Sequence, residues 1–370
     1  MAQSTLIGIL GLALLMVLHE AGHFVAARAF GMRVTRFSIG FGPTLFKLVP
    51  KDGYFWLTVL ADRFQVRLFK HDPARHGPTI YQVAVIPFLA YVQIAGMNPL
   101  EDVEEGDKGS YANASLIGRI VTIFSGPFAN YVFASVFFFL SFFFGGRIDV
   151  DMSSTAVDVL PNRAAAAAHM VDGDRIVQVG GTKVKDWEQM AAAISQHPAE
   201  TIPIVVDRKG QEVTLTVTPA NENGKGKIGV QAMKHHVVLD AKDSVKLAIT
   251  HPPAVVKDVV VGIGKLITGK AEGELVGPVG IVKETAKAAE SSWTEFCYIL
   301  GIISAYLGAF NLIPFPALDG GRLMFLGYEA TTRKRPNARI EAHIHAIGLV
   351  MMISLMVYVT VAKDLRLGLK

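Results

Sequence analysis

The sequence predicts a polytopic α-helical membrane protein with four transmembrane helices, a membrane-associated β-hairpin or sheet and an inserted α+β domain. Of its 370 residues, 51% are hydrophobic and 18% are charged. The mean hydropathy of +0.37 is too high for an ordinary soluble protein. Four apolar stretches can enter a bilayer, and a stretch with the strand and turn signals of a soluble domain lies between the second and third. The predicted segments are helix 1 at 1–30, a cytoplasmic β region and loop at 31–115, helix 2 at 116–146, the α+β domain at 150–220, an amphipathic linker region at 221–293, helix 3 at 294–321, a basic loop at 322–341 and helix 4 at 342–363.

Charge and cysteine content exclude several other classes of protein. The net charge is +4 with a pI near 9.0, and no basic block is dense enough to bind nucleic acid. The single cysteine, Cys297, excludes a disulfide framework within the chain and a zinc site built from cysteines. The N-terminus lacks the basic region of a signal peptide, so we expect the first apolar segment to be retained.

The first apolar segment, Leu6 to Phe30, carries His19, Glu20 and His23 in the order H-E-x-x-H. Ionisable groups inside a membrane helix are energetically expensive and usually functional. Residues four apart lie on one helix face, so both imidazoles can bind one metal ion. Zinc suits two histidines and a carboxylate, with a fourth position for water, and Glu20 can reach that water. The pattern therefore predicts metal-assisted peptide hydrolysis.

The end of the third apolar segment predicts the remaining ligand. Pro314 and Pro316 stop a regular helix there. Irregular backbone at membrane depth is tolerated only where it is buried in protein or lines a cavity. Asp319 would lie on this opened segment, as the natural third ligand for His19 and His23. The alternative is that Asp319 only caps the next helix.

A small sheet is predicted after the first helix, on the same side of the membrane as the end of that helix. Val34–Ile39, Tyr54–Val59 and Tyr81–Ile86 are rich in strand formers and are separated by turn residues. The last of these strands ends at Pro87, and a further strand-like stretch follows the proline. We expect the continuation to be an edge strand that pairs with an extended substrate, and the alternative is a peripheral hairpin with no catalytic role. Its residues are Tyr91, Val92, Gln93 and Ile94.

Three further polar residues lie in the apolar segments. Asn130, which follows Gly126 and Pro127 in the second segment, is expected to bond across helices rather than act in catalysis. His343 and His345 lie at the start of the fourth segment. Because they are two apart, they do not share a helix face well, and we interpret them as interfacial residues.

The inserted domain resembles a PDZ domain. The resemblance rests on the turn GDRIVQVGG, a helix from about Asp186 to Gln196, and two strands at Ile202–Asp207 and Glu212–Thr218. PDZ domains take up extended peptides by strand addition, and the alternative role is a purely steric cap. Asn221–Gly226 is predicted to be a flexible linker after this domain.

Charged residues predict the orientation. Arg and Lys follow the first apolar segment and lie between the third and fourth, which predicts that both loops are cytoplasmic. The PDZ-like domain and both termini then lie outside. His19, His23 and Asp319 all fall at the cytoplasmic ends of their helices, which agrees with a shared metal ion.

The chain resembles the site-2 protease family of intramembrane zinc metalloproteases, particularly its bacterial RseP type. The matching stretches are HEAGHFVAARAFGM, FSIGFGP, IPFLAYVQIAGM, SGPFAN, the PDZ-like insert, GPVGI and NLIPFPALDGGRL. The resemblance implies one zinc ion per chain held by His19, His23 and Asp319, with Glu20 as catalytic base and Asn311 holding the substrate near the metal. It also implies a multi-pass protein of the bacterial inner membrane that cuts single-span membrane proteins, often anti-sigma factors, after an upstream protease.

The chain departs from the RseP type in two places. Leu89 and Ala90 follow Phe88 where relatives usually have two glycines. One PDZ-like segment is found where two can occur in tandem, so gating by the outer domain can differ.

Two other functions are compatible with parts of the sequence. A metal transporter also uses intramembrane His and Asp residues, but we find no polar path along Leu6–Leu18 or the Phe-rich end of the second segment. A non-catalytic membrane scaffold with a PDZ module gives no reason to keep Glu20 between two ligands.

Overall fold

The computed structural model describes residues 2–59, 63–86, 90–268 and 277–364. Two short turns accompany its helices, a 3₁₀ turn at Tyr111–Asn113 and a π turn at Thr360–Asp364. The α-helices are α1 (Ala2–Ala29), α2 (Pro73–His76), α3 (Leu116–Gly145), α4 (Ala164–Ala167), α5 (Trp187–Ser195), α6 (Ala241–Ile267), α7 (Pro278–Ser291), α8 (Trp293–Asn311), α9 (Asp319–Thr332) and α10 (Ala338–Val359).

The strands fall into one large sheet and several small ones. They are β1 (Val34–Ile39), β2 (Phe41–Lys51), β3 (Tyr54–Val59), β4 (Phe64–Lys70), β5 (Ile80–Ile86), β6 (Tyr91–Ile94), β7 (Arg147–Val150), β8 (Val157–Val159), β9 (Arg175–Val179), β10 (Thr182–Lys183), β11 (Ile202–Arg208), β12 (Gln211–Val217), β13 (Ala220–Glu222), β14 (Lys225–Lys227), β15 (Val230–Ala232) and β16 (Lys234–Val237). The chain divides into two compact units, one of residues 1–145 and 240–370 and the other of residues 146–239.

Four helices of the first unit, α1, α3, α8 and α10, are long and apolar enough to cross a membrane. Each overlaps one of the four predicted apolar segments, but α1, α8 and α10 end at Ala29, Asn311 and Val359, before the predicted ends. Helix α3 packs against both α1 and α8, and a small apolar core of Leu15, Phe137, Cys297 and Leu300 joins the three. Glycine makes the close approach possible, because a Cβ at Gly22 would overlap the main-chain carbonyl of Ser125. Helix α3 also continues through Pro127 without ending.

The large sheet has the strand order β4-β3-β2-β5-β1-β6, so β6 lies at one edge. Strand β1 runs parallel to β5 and antiparallel to β6, with Ser38 opposite Tyr91. The predicted strands β1, β3, β5 and β6 are present. The predicted stop at Pro87 and the first residue of the departure at Leu89 and Ala90 lie outside the described residues.

Strand β2 was not predicted, because Gly40 and Gly42-Pro43 were interpreted as breaks. The chain instead forms an eleven-residue strand whose pairing with β5 shifts register on both sides of Thr44. Gly40 and Gly42 have φ of +90° and +92°, which other residues rarely adopt. The glycines therefore allow an irregular strand rather than ending one.

The second unit is an α+β domain with a four-stranded sheet in the order β10-β9-β11-β12. Asp186 caps α5 by accepting a hydrogen bond from the Gln189 main-chain nitrogen. Met190 and Ile194 on the inner face of α5 join a core that includes Ile176 and Ile204. The predicted helix and both predicted long strands are thus present.

The predicted end of this domain at residue 220 is wrong, as is the flexible linker at Asn221–Gly226. Those residues form a hairpin of β13 and β14, in which Ala220 lies opposite Lys227. Strand β15 then pairs with β8, and β16 pairs with β7. The unit continues to residue 239 because its last strands return to its first ones.

The remaining linker region is also largely helical. Helix α6 begins at Ala241 and continues through Pro252 and Pro253 to Ile267. After the undescribed residues 269–276, α7 begins at Pro278. It packs against α1, where a Cβ at Gly8 would stand 3.1 Å from the Ala286 main-chain nitrogen.

Candidate metal centre and active site

Helix α1 presents two buried imidazoles one turn apart. His19 is 6% exposed and His23 is 4% exposed, and their Nε2 atoms lie 3.2 Å from each other. The spacing of four residues places both rings on the face of α1 that packs against α3. Helix geometry alone therefore brings together two of the three candidate metal ligands.

Asp319 reaches the same point from a distant part of the chain. Helix α8 ends at Asn311, and α9 begins at Asp319 after an irregular segment with both prolines. Oδ2 of Asp319 lies 3.1 Å from Nε2 of His19 and 3.3 Å from Nε2 of His23. Asp319 is the first residue of α9 and not its cap, since Leu318 holds the cap position without a side-chain hydrogen bond.

Two glycines let the irregular segment fold back on the start of α9. A Cβ at Gly320 would stand 2.5 Å from the Leu312 carbonyl oxygen, and one at Gly321 would stand 3.0 Å from the Phe315 carbonyl carbon. Any larger residue at either position would push the turn away from α9. The glycines after Asp319 thus hold its carboxylate at the level of the histidines.

The donor set fits a zinc ion. One ligand atom from each of His19, His23 and Asp319 lies within 4.8 Å of the other two. Oδ2 of Asp319 is buried and, apart from the two imidazole nitrogens, has no hydrogen-bond partner among the described residues. Nδ1–H of His23 donates to the Thr122 carbonyl at 2.8 Å, so its Nε2 lone pair faces the cluster. Two imidazoles and one carboxylate are a common catalytic zinc set with one position open.

Asn130 supports the other histidine. It is fully buried on α3, and its side-chain amide nitrogen lies 3.0 Å from Nδ1 of His19. Its amide oxygen has no partner among the described residues. Turning the amide by 180° would let that oxygen accept a hydrogen bond from Nδ1–H, which leaves the Nε2 lone pair of His19 free to bind metal. The expected bond across helices is thus present, and it reaches a candidate ligand.

Glu20 joins the histidine pair to the sheet. Its Oε2 accepts a hydrogen bond from the main-chain nitrogen of Val92, at 3.0 Å. Val92 lies in the edge strand β6, beside a groove of about 660 Å³ that includes Arg322 of α9 in its lining. The structure therefore brings Glu20 and the predicted substrate strand together. All four strand residues, Tyr91, Val92, Gln93 and Ile94, line the groove.

Asn311 has a different neighbour. It is the last residue of α8, and its side-chain amide donates to the Leu307 carbonyl of the same helix at 3.0 Å. Among the described residues, no hydrogen bond joins the Asn311 side chain to His19, His23 or Asp319. The role of Asn311 in holding substrate stays a prediction.

The sequence interpretation missed two residues beside the cluster. The sequence interpretation gives Gly126 no role at the site, yet a Cβ there would overlap the His23 ring. His345 was interpreted as interfacial, yet its Nδ1 accepts a hydrogen bond from the Ala317 main-chain nitrogen at 2.9 Å. The position of Gly126, four residues before Asn130 and so on the same helix face, could have indicated its place at the site. Nothing local to His345 indicated the second.

Comparison with known proteins agrees with this geometry. The model of peptidase family M50 matches residues 7–62 and 58–355. The zinc metalloprotease RasP of Geobacillus kaustophilus is 28% identical over 398 residues, which cover 94% of each chain. A Fusobacterium nucleatum protein provisionally named a zinc metalloprotease is 28% identical over 360 residues, or 96% of this chain and 97% of its own. A similarly named Campylobacter jejuni protein is 28% identical over 369 residues, or 95% and 90%. The chain therefore belongs to peptidase family M50, the site-2 protease family of zinc metalloproteases.

Proposed function

We propose that the protein hydrolyses peptide bonds in or next to the transmembrane segment of single-span membrane proteins. One observation carries the proposal. Glu20 lies on the helix of the histidine pair and accepts a hydrogen bond from the edge strand β6. A base, a candidate metal site and a strand edge for an extended chain thus meet at Glu20.

His19, His23 and Asp319 would hold the zinc ion. A bound zinc ion supplies Lewis-acid chemistry that polarises the scissile carbonyl and makes water more acidic. Glu20 takes the proton from the attacking water and delivers it to the leaving amine nitrogen. The Val92 N–H orients the Glu20 carboxylate for this transfer.

The substrate would be bound as a strand. A helical substrate hides its carbonyls in its own hydrogen bonds, so it must unwind before cleavage. Addition of the unwound segment to β6 would satisfy its main chain and leave the scissile bond near Glu20. Asn311 at the end of α8 is proposed to hold the same segment from the other side.

The second unit would act as a PDZ-like filter outside the membrane. A largely apolar groove of about 480 Å³ runs along α5, with Met190 and Ile194 in its lining and Arg163, Lys225 and Lys227 at its rim. Such a groove suits a peptide end, and the bulk of the unit would exclude substrates with a large outer domain. An upstream protease would then act first, and an anti-sigma factor of the bacterial inner membrane is one substrate of this class.

The experiment pairs zinc analysis with cleavage of a model single-span substrate in liposomes. Wild type, Glu20→Gln and Asp319→Asn are compared. We expect one zinc in wild type and Glu20→Gln, loss of zinc in Asp319→Asn, and cleavage by wild type alone. A Glu20→Gln protein with full activity would refute the mechanism. Zinc flux into the vesicles without cleavage would favour a transporter, and absence of zinc from wild type would favour a scaffold.

Strand addition is tested separately by disulfide cross-linking. Gln93→Cys on β6 is expected to cross-link to cysteines placed in the unwound part of the substrate, in the Glu20→Gln background. Lys70→Cys on β4, at the opposite edge of the sheet, is the matched control. Equal cross-linking by both variants would contradict the proposed binding strand.

A further inference from the structure

We infer that His345 of α10 is a positioning residue for the metal centre, because it holds the turn that carries Asp319. This inference rests on the proposed role of Asp319 as a ligand. It assigns a function to the fourth apolar helix, which contributes no residue to the His19, His23 and Asp319 cluster.

Helix α10 is buried at one place only among its described residues. That residue is Gly348, and the rest of the helix is exposed or half-buried. A Cβ at Gly348 would stand 2.6 Å from the carbonyl oxygen of Pro316 and would overlap the proline ring. Helix α10 therefore makes its closest approach at the segment between α8 and α9.

His345 lies three residues before Gly348, on the same face of the helix. Its Nδ1 accepts the hydrogen bond from the main-chain nitrogen of Ala317, at 2.9 Å. Its ring also lies 5.5 Å from that of Phe325 on α9. Two neighbouring residues of the turn, Pro316 and Ala317, are thus held by one face of α10.

The turn needs such support because its backbone is strained. Ala317 has a φ of +76°, a left-handed value that is strained for a residue with a side chain. The Ala317 N–H donates to the half-buried imidazole of His345. Loss of that imidazole would leave the Ala317 N–H without a hydrogen-bond acceptor. Ala317 precedes Asp319 by two residues, so relaxation of the turn would move the carboxylate away from the histidines.

The test measures zinc retention by the purified full-length protein in detergent, by titration with a chelator. His345→Leu removes the acceptor and keeps the bulk, whereas His345→Asn places an amide oxygen near the position of Nδ1. His343→Leu is the matched control, since His343 is exposed and its Nδ1 donates to the Arg339 carbonyl of its own helix. We expect His345→Leu to release zinc about tenfold more readily, and His345→Asn and His343→Leu to behave like wild type.

A second pair of variants keeps the test independent of folding defects at position 345. Gly348→Ala would displace Pro316 without touching the imidazole, and Gly327→Ala adds the same methyl group where no atom lies within 4 Å. We expect Gly348→Ala alone to weaken zinc retention, with size-exclusion profiles unchanged.

The outcomes separate this inference from the proposed function. Zinc retention like wild type in His345→Leu and Gly348→Ala, together with loss of zinc in Asp319→Asn, would overturn the inference and leave the proposed metal site intact. Equal losses in His345→Asn and His345→Leu would also overturn it, because the acceptor would not matter. Absence of zinc from the wild-type protein would refute both.

Discussion

Gly126 of α3 lies directly against the ring of His23 on α1. A Cβ at position 126 would overlap Nε2 of His23 and stand 2.9 Å from its Cδ2. The helix that faces the histidine pair therefore lacks a side chain at the point where the candidate ligand needs space. This relationship leads to the first of four predictions.

We expect Gly126→Ala to abolish zinc binding, because the added methyl group occupies the space of the His23 imidazole. Since the ring is buried and its Nδ1 is bonded to Thr122, it cannot move aside without losing that bond. Zinc content of the purified variant measures the effect. Gly264→Ala on α6, where no atom lies within 4 Å of the added carbon, is the control and should retain zinc.

Asn130→Leu is expected to weaken zinc binding by about tenfold or more, because His19 loses the partner that sets its ring orientation and tautomer. Chelator competition measures the change. Ser304→Ala is the matched control, since its hydroxyl donates to the main-chain carbonyl of Asn130 and not to its side chain. Equal effects in the two variants would mean that Asn130 acts only through helix packing.

Buried Arg119 of α3 donates two hydrogen bonds to the half-buried carboxylate of Glu329 on α9, with N–O distances of 2.9 Å and 2.6 Å. Arg119→Ala should destabilise the protein by about 1–3 kcal/mol, because it leaves the half-buried Glu329 carboxylate with only the more distant Arg335, at 3.8 Å. Denaturant titration in detergent measures the free energy of unfolding. Removing both charges with Arg119→Leu and Glu329→Leu should recover most of the loss, and a double variant as unstable as Arg119→Ala would contradict this account.

The second unit should lose stability in acid through Asp174. Burial raises the pKa of this carboxyl. Hydrogen bonds from Arg208 and the Val171 N–H lower it by more than burial raises it, so the pKa lies below the usual value. A carboxyl whose pKa is lowered by folding stabilises the folded state at pH values above its unfolded pKa, near 3.9. That stabilisation is lost as the pH falls through the pKa of the folded state.

Hydrogen exchange in the full-length protein checks this prediction. Amides of β9 and β11 should exchange faster as the pH falls below about 4, after correction for the intrinsic rate. Asp174→Asn should be less stable at neutral pH and should lack this acid-dependent loss. An unchanged acid response in Asp174→Asn would assign the effect to another group.

Local patterns predicted the parts of the structure that depend on near neighbours in the chain. Apolar runs predicted the four long helices, and the H-E-x-x-H spacing predicted that His19 and His23 share a face of α1. The two prolines predicted the opening between α8 and α9. Strand β2 escaped prediction because its glycines are compatible with either a break or a bulged strand, and the choice depends on its pairing with β5.

The family resemblance, the helical segments and the residue types that can bind metal are all readable in the sequence, since they depend on composition and on spacing within a few residues. Which distant groups meet depends instead on how the chain packs. Glu20 contacts Val92, His19 contacts Asn130, and Ala317 contacts His345 across 72, 111 and 28 positions of the chain. Such contacts arise when helices and strands pack to bury apolar surface and to satisfy polar main-chain groups, and no local periodicity records them.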